Sequence, residues 1–181
     1  MNTSLPDSTN CRLWFDGRSL YIAAKVSTTP LAKIVIGSIA LFFALPAPML
    51  LFMQGGKALP MAVATFAAWI FLMGRIAFWN LFGEEVIILN TKSVSYQRSY
   101  GIIETKLQTY PLRRLRVDAT ITKEQDNIKY SKLKFYTYNE HDLPELLLES
   151  SIALPEQSIY AIFRSIDTMN MQENNFILWL N

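Results

Sequence analysis

Cysteine and histidine are nearly absent from this chain. One Cys, Cys11, rules out an intramolecular disulfide, and one His, His141, leaves no basis for a zinc centre built on these two residue types. Charge is scarce as well: 18% of the 181 residues are Asp, Glu, Lys or Arg, against about 25% in an ordinary soluble domain. The shortage is local, because residues 34–74 hold a single ionisable side chain, Lys57. The sequence has no Walker loop, no G-x-S-x-G, no H-E-x-x-H and no G-x-G-x-x-G, so none of the chemistries those motifs carry is signalled. Low-complexity segments are missing too, and 13% aromatic residues argue against intrinsic disorder.

What is present begins with a run of twenty uncharged residues, 34–53. As a helix it reaches about 30 Å, the thickness of a bilayer's hydrocarbon core. Pro46 and Pro48 would break a soluble helix, but spanning helices with neighbours tolerate them. Gln54-Gly55-Gly56-Lys57 reads as a tight turn, and a second apolar stretch covers 59–79 and continues to Phe82. Arg75 interrupts it about 24 Å from Leu59, where its side chain would snorkel to the far interface. Phe78, Trp79 and Phe82 fit an interfacial aromatic belt. A buried helical hairpin is the alternative, and the lack of a polar face argues against it. A signal peptide does not fit, since the apolar run starts only at residue 34, and polar residues before Cys11 exclude a lipoprotein cysteine. Arg12, Arg18, Lys25 and Lys33 precede the first run and Arg75, Lys92 and Arg98 follow the second, which places both termini in the cytoplasm.

From Glu84 the period becomes twofold. Residues 86–89, 94–100, 102–110, 112–121, 127–138 and 146–152 read as successive strands of an antiparallel sheet or small barrel. Pro155 then suits the start of a helix over 155–170, with Ile159, Ile162, Phe163, Ile166 and Met169 on the face that caps the sheet. Near the N-terminus, Asp16-Gly17 between Leu13-Trp14-Phe15 and Leu20-Tyr21-Ile22 predicts a hairpin. A hairpin alone is marginal, so it is expected to join the sheet of residues 84–120.

Residues Trp79-Asn80-Leu81-Phe82-Gly83-Glu84-Glu85-Val86-Ile87 resemble a family of small, largely uncharacterised bacterial membrane proteins, two spanning helices joined to a pleckstrin-homology-like domain. Further matching elements are the strand with Arg98, then Gly101, then Tyr110-Pro111-Leu112 running into Arg113-Arg114-Leu115-Arg116. The resemblance covers roughly residues 12–120, and it implies no catalytic residues. Pro111 departs from the pattern and calls for an edge position or a bulge.

Asn139-Glu140-His141-Asp142 is the best cluster for chemistry, but a turn between strands collects these residues for its own reasons, and no metal or acid–base partner stands nearby in sequence. Glu84 and Glu85 read as solvated charge, with a pairing to Arg75 as the alternative. Residues 1–83 carry +4, 84–134 carry +4 and 135–181 carry −6, so the early strands are basic. Arg114 and Arg116 are two apart, facing outward, while Leu115 and Val117 mark the inward side. Lys132 and Lys134 share a face with Tyr130, Tyr136 and Tyr138, a mixture suited to a membrane interface better than to nucleic acid. The candidate contact residues are therefore Arg98, Arg114, Arg116, Lys132 and Lys134, with no catalytic, cofactor or metal residues. The apolar tail Phe176-Ile177-Leu178-Trp179-Leu180 is expected to pack on the sheet, with docking into a partner or the lipid interface as the alternative.

These readings predict an N-terminal segment over 1–30, two transmembrane helices within 31–82, and a cytoplasmic PH-like β-domain over 83–181. They place the chain in a bacterial inner membrane as a multi-pass protein. The expected role is a membrane-anchored, non-enzymatic interaction or assembly module with a protein partner. An anionic-lipid headgroup binder and an immunity-type protein that guards the membrane against a toxin are the alternatives. Nucleic acid is not an expected partner.

Overall fold

The structure is a computed structural model that describes residues 10–45, 49 and 59–170, and the backbone of 176–180. The chain divides into two compact units, one of 1–25, 84–98 and 104–181, the other of 26–83 and 99–103.

The first unit is β-rich. Strands β1 (Cys11–Phe15), β2 (Ser19–Lys25), β3 (Glu84–Asn90), β4 (Ser93–Ser99) and β5 (Gln108–Pro111) form one sheet in that order. The pairing Ser19↔Asn90 to Lys25↔Glu84 joins the N-terminal hairpin to β3. Pro111 lies in the edge strand β5, where its missing N–H costs no ladder bond. A second sheet contains β6 (Leu115–Gln125), β7 (Ile128–Tyr138) and β8 (Pro144–Glu149). β9 (Leu154–Pro155) pairs with β7, and β10 (Phe176–Leu180) pairs parallel to β6, with Phe176 opposite Leu115. The link between β6 and β7 is a two-residue turn in which Asp126 and Asn127 take φ of 53° and 60°. Positive φ at both central positions is what a type I′ hairpin requires, and Asp and Asn are among the few residues that accept it.

Twofold alternation puts Leu20, Ile22, Leu89, Val94, Leu115, Val117, Leu133 and Phe135 fully inside. Each such side chain contributes about 1.5–3 kcal/mol relative to exposure. Helix α4 (Glu156–Asn170) lays Ile159, Ile162, Phe163, Ile166 and Met169 inward. It packs against β7 and β9 of one sheet and β1 and β2 of the other.

The second unit is helical. α1 (Pro30–Ala44) starts at Thr29, whose Oγ1 accepts from the Ala32 N–H at 3.3 Å, with Pro30 in the first turn. α2 (Leu59–Trp69) is followed by a π-helical stretch, Ile70–Gly74, and then α3 (Arg75–Phe82). The small residues Ala62, Gly74 and Ala77 are buried, and α1 packs against α2 and α3. Gly83 ends α3: its N–H bonds the Trp79 carbonyl at 2.8 Å, and its carbonyl accepts from Val26 N–H at 2.9 Å.

The expected membrane hairpin is corrected here. No helix among the described residues is long and apolar enough to cross a membrane. α1 has 15 residues, about 22 Å at 1.5 Å per residue, short of the roughly 30 Å of a hydrocarbon core. The second apolar stretch holds 11 residues of regular α-helix before the π segment interrupts its hydrogen-bond pattern. The transmembrane, multi-pass description and the bacterial inner-membrane location rested on those two spans and go with them. In place of a spanning hairpin attached to a PH-like sheet or barrel, the chain shows a β-rich fold of two sheets. The turn expected at 54–57 lies outside the described residues.

Candidate interaction surfaces and a buried carboxylate

The outer face of the second sheet gathers four of the five candidate residues. β7 alternates buried Ser131, Leu133 and Phe135 with outward Tyr130, Lys132, Lys134 and Tyr136, and its pairing with β8 shifts register between Phe135 and Tyr136, ahead of Tyr138. On β6, Leu115, Val117 and Ala119 are buried, and Arg116 and Asp118 face out. The register sets Arg116 opposite Tyr136, Asp118 opposite Lys134, and Thr120 opposite Lys132. The Arg116 guanidinium lies 5.7 Å from the Tyr136 ring centroid, and Arg114 lies 4.1 Å from that of Tyr138. Both distances suit cation–π attraction.

Two of these four cations, Arg114 and Arg116, are met by carboxylates, whereas Lys132 and Lys134 take part in no ion pair among the described residues. Arg116 donates to both Asp118 carboxylate oxygens at 3.0 and 2.9 Å, a fork-on-fork pair that raises the guanidinium pKa further. Arg114 reaches Asp142 at 3.3 Å, and Arg113 reaches Glu140 at 3.2 Å. So the acidic residues of the 139–142 turn serve as counter-ions. Asn139 Oδ1 shapes that turn by accepting from the N–H groups of His141 at 2.9 Å and Leu143 at 3.0 Å. Among the described residues, no group of three His, Cys, Asp or Glu side chains is placed to hold a metal ion.

Arg98 is not part of that surface. It belongs to a polar network inside the first unit, donating to Tyr96 Oη and to Ser151 Oγ. The centre of the network is Glu85, 1% exposed, whose carboxylate accepts from the N–H of Ser151 at 2.9 and 3.1 Å and of Ile152 at 3.1 Å. Burial pushes its carboxyl above the ordinary 4.5, and those two amides, Arg98 and Tyr96 pull the other way. Burial likewise raises Tyr96. The expectation of a solvated Glu85 fails because β3 alternates: Glu84 faces out to Arg12 at 2.9 Å and Lys25 at 3.8 Å, which turns Glu85 in. The alternation around Glu84 was the available signal.

Arg75 also finds a partner within its own unit. Its Nε and Nη2 lie 3.4 Å from Tyr100 Oη, and Tyr100 tilts against Trp79 with ring centroids 5.3 Å apart. The helices around it leave large apolar side chains in the open. Leu31, Ile34 and Phe42 of α1 are 68–74% exposed, and Phe71 in the π segment is 77% exposed.

A cavity of about 390 Å³ lies at one end of the first sheet, where two hairpin turns stand side by side. Phe15, Gly17, Arg18 and Ser19 line it from one turn, Asn90, Thr91, Lys92 and Ser93 from the other, and Met169 of α4 closes it. No family model matches the chain and no curated protein matches it, so the likeness drawn at Trp79–Ile87, Arg98, Gly101 and Tyr110–Arg116 rests on those sequence elements alone.

Proposed function

We propose that the chain is a non-enzymatic interaction or assembly module that recognises a protein partner. The observation that carries this reading is the open apolar surface of the helical unit. Leu31, Ile34, Phe42, Met61, Phe71 and Ile76 are all at least 60% exposed. Large apolar side chains left this exposed favour being covered by another body, and each gains about 1.5–3 kcal/mol when fully covered. The outer face of the second sheet supports it. Tyr and Arg in contact supply rigid, amphipathic contact area, the residue types enriched where protein partners bind most strongly. A headgroup reading finds less support there, because Arg114 and Arg116 already face Asp142 and Asp118.

Site-specific photo-crosslinking in the native cell tests the proposal. With the crosslinker at Phe71 or at Ile34, one protein adduct of discrete mass is expected, and it should be absent with the crosslinker at the exposed Tyr160. No protein adduct at either helical position, or the same adducts at all three, overturns the proposal.

A further inference from the structure

We infer that the cavity between the hairpin turns 15–19 and 90–93 is a binding site for a phosphomonoester group. Both turns are built alike. Asp16 Oδ1 accepts from the N–H of Arg18 at 2.8 Å and of Ser19 at 2.7 Å, and Asn90 Oδ1 accepts from the N–H of Lys92 at 2.8 Å and of Ser93 at 2.7 Å. Each turn thereby presents one long cation, Arg18 or Lys92, two residues after its Asx side chain. The pairing of Ser19 with Asn90 brings the turns together at one end of the sheet. Neither cation takes part in an ion pair among the described residues, whereas Arg12, Lys25, Arg113, Arg114 and Arg116 all do. Two unneutralised cations over one cavity ask for an anion of charge near −2.

The cavity's other walls narrow the class. The hydroxyls of Ser19 and Thr91 add donors, while Phe15 and Met169 supply an apolar wall that suits the organic part of an ester. Arg18 offers the planar fork that matches two phosphate oxygens, and Lys92 a compact point charge. No carboxylate lines the cavity, and Asp16, in the same turn as Arg18, is not among its walls. The Asp16 charge is engaged by the Arg18 and Ser19 amides and, at 3.2 Å, by Tyr21 Oη. A free phosphomonoester and the headgroup of a lipid share this chemistry.

Titration of the full chain with phenyl phosphate, followed by phosphorus NMR line broadening, tests the site, and phosphatidylcholine vesicles containing phosphatidic acid form the second arm. Saturable binding of phenyl phosphate is expected, weakened about tenfold by Arg18→Gln and about tenfold by Lys92→Gln, with Lys123→Gln as an unaffected control. Both substituted side chains are exposed, so the variants keep the fold, as circular dichroism would verify. Binding only to the vesicles, lost in the same two variants, assigns the phosphate to a headgroup and upholds the site. The inference is overturned if neither probe binds, or if both variants bind as the parent does.

Discussion

Glu85 and Ser151 are 66 residues apart, and the carboxylate of the first accepts the backbone N–H of the second through both its oxygens, at 3.1 and 2.9 Å. This joins β3 of the first sheet to the segment that follows β8 of the second. Arg98 and Tyr96 complete the link, since both also bond Ser151 Oγ. Glu85→Ala leaves the N–H groups of Ser151 and Ile152 without their acceptor and removes the carboxylate charge that the Arg98 guanidinium favours. A loss of about 2–3 kcal/mol is expected in urea unfolding.

The same residue sets a pH dependence. Its carboxyl titrates above the ordinary 4.5 in the folded chain, so between 4.5 and the folded titration point the folded state holds a proton that the unfolded state has released. Stability therefore falls as pH rises through that window. Asp16 acts in the opposite sense but elsewhere: the Arg18 and Ser19 amides lower its pKa, so its contribution fades only as pH drops below 3.8. Unfolding midpoints of the parent should decline as pH rises above 4.5, and Glu85→Gln should flatten that decline. Equal slopes in the two proteins would contradict the assignment.

Gly83 is expected to resist any side chain. A Cβ there would stand 2.2 Å from the Trp79 carbonyl oxygen and 2.9 Å from Val26 Cγ2. The first obstacle is backbone, which has little room to give. Gly83→Ala should cost about 1–3 kcal/mol and speed amide exchange at Val26, whose N–H bonds the Gly83 carbonyl.

Helix α4 offers a contrast between its two faces. Ile162 is fully buried, and Ile162→Ala should cost about 2–5 kcal/mol. Tyr160 is 53% exposed, and Tyr160→Ala should stay within about 0.5 kcal/mol of the parent. Thermal unfolding of the two variants separates them directly.

Asn127 tests the β6–β7 turn. At φ 60° it occupies the left-handed region, so Asn127→Gly should be neutral or mildly stabilising, and Asn127→Val should cost about 1–2 kcal/mol. Equal stability of the two variants would show that the turn does not hold this conformation.

What the chain's order alone determined are the features that depend on near neighbours. Alternation along β7 separates Lys132, Lys134 and Tyr136 from Leu133 and Phe135, and helical spacing places Ile159, Ile162 and Ile166 on one face. Asp16-Gly17 announces its hairpin, because the positive φ that Gly17 takes suits few residues. Hydrophobicity over 34–82 was equally plain, but composition does not tell how far a regular helix runs. The end of α1 at Ala44 and the π segment at Ile70–Gly74 are matters of backbone hydrogen bonding that an apolar count does not register. Tertiary structure alone decided the partners of the charges. Arg98 looked like one more cation of a basic surface, yet closure of the two sheets turns it toward Ser151, and the same closure buries Glu85 beneath two amides 66 and 67 residues away. Ion pairing is set by distance in space, and no local pattern encodes a neighbour so remote along the chain.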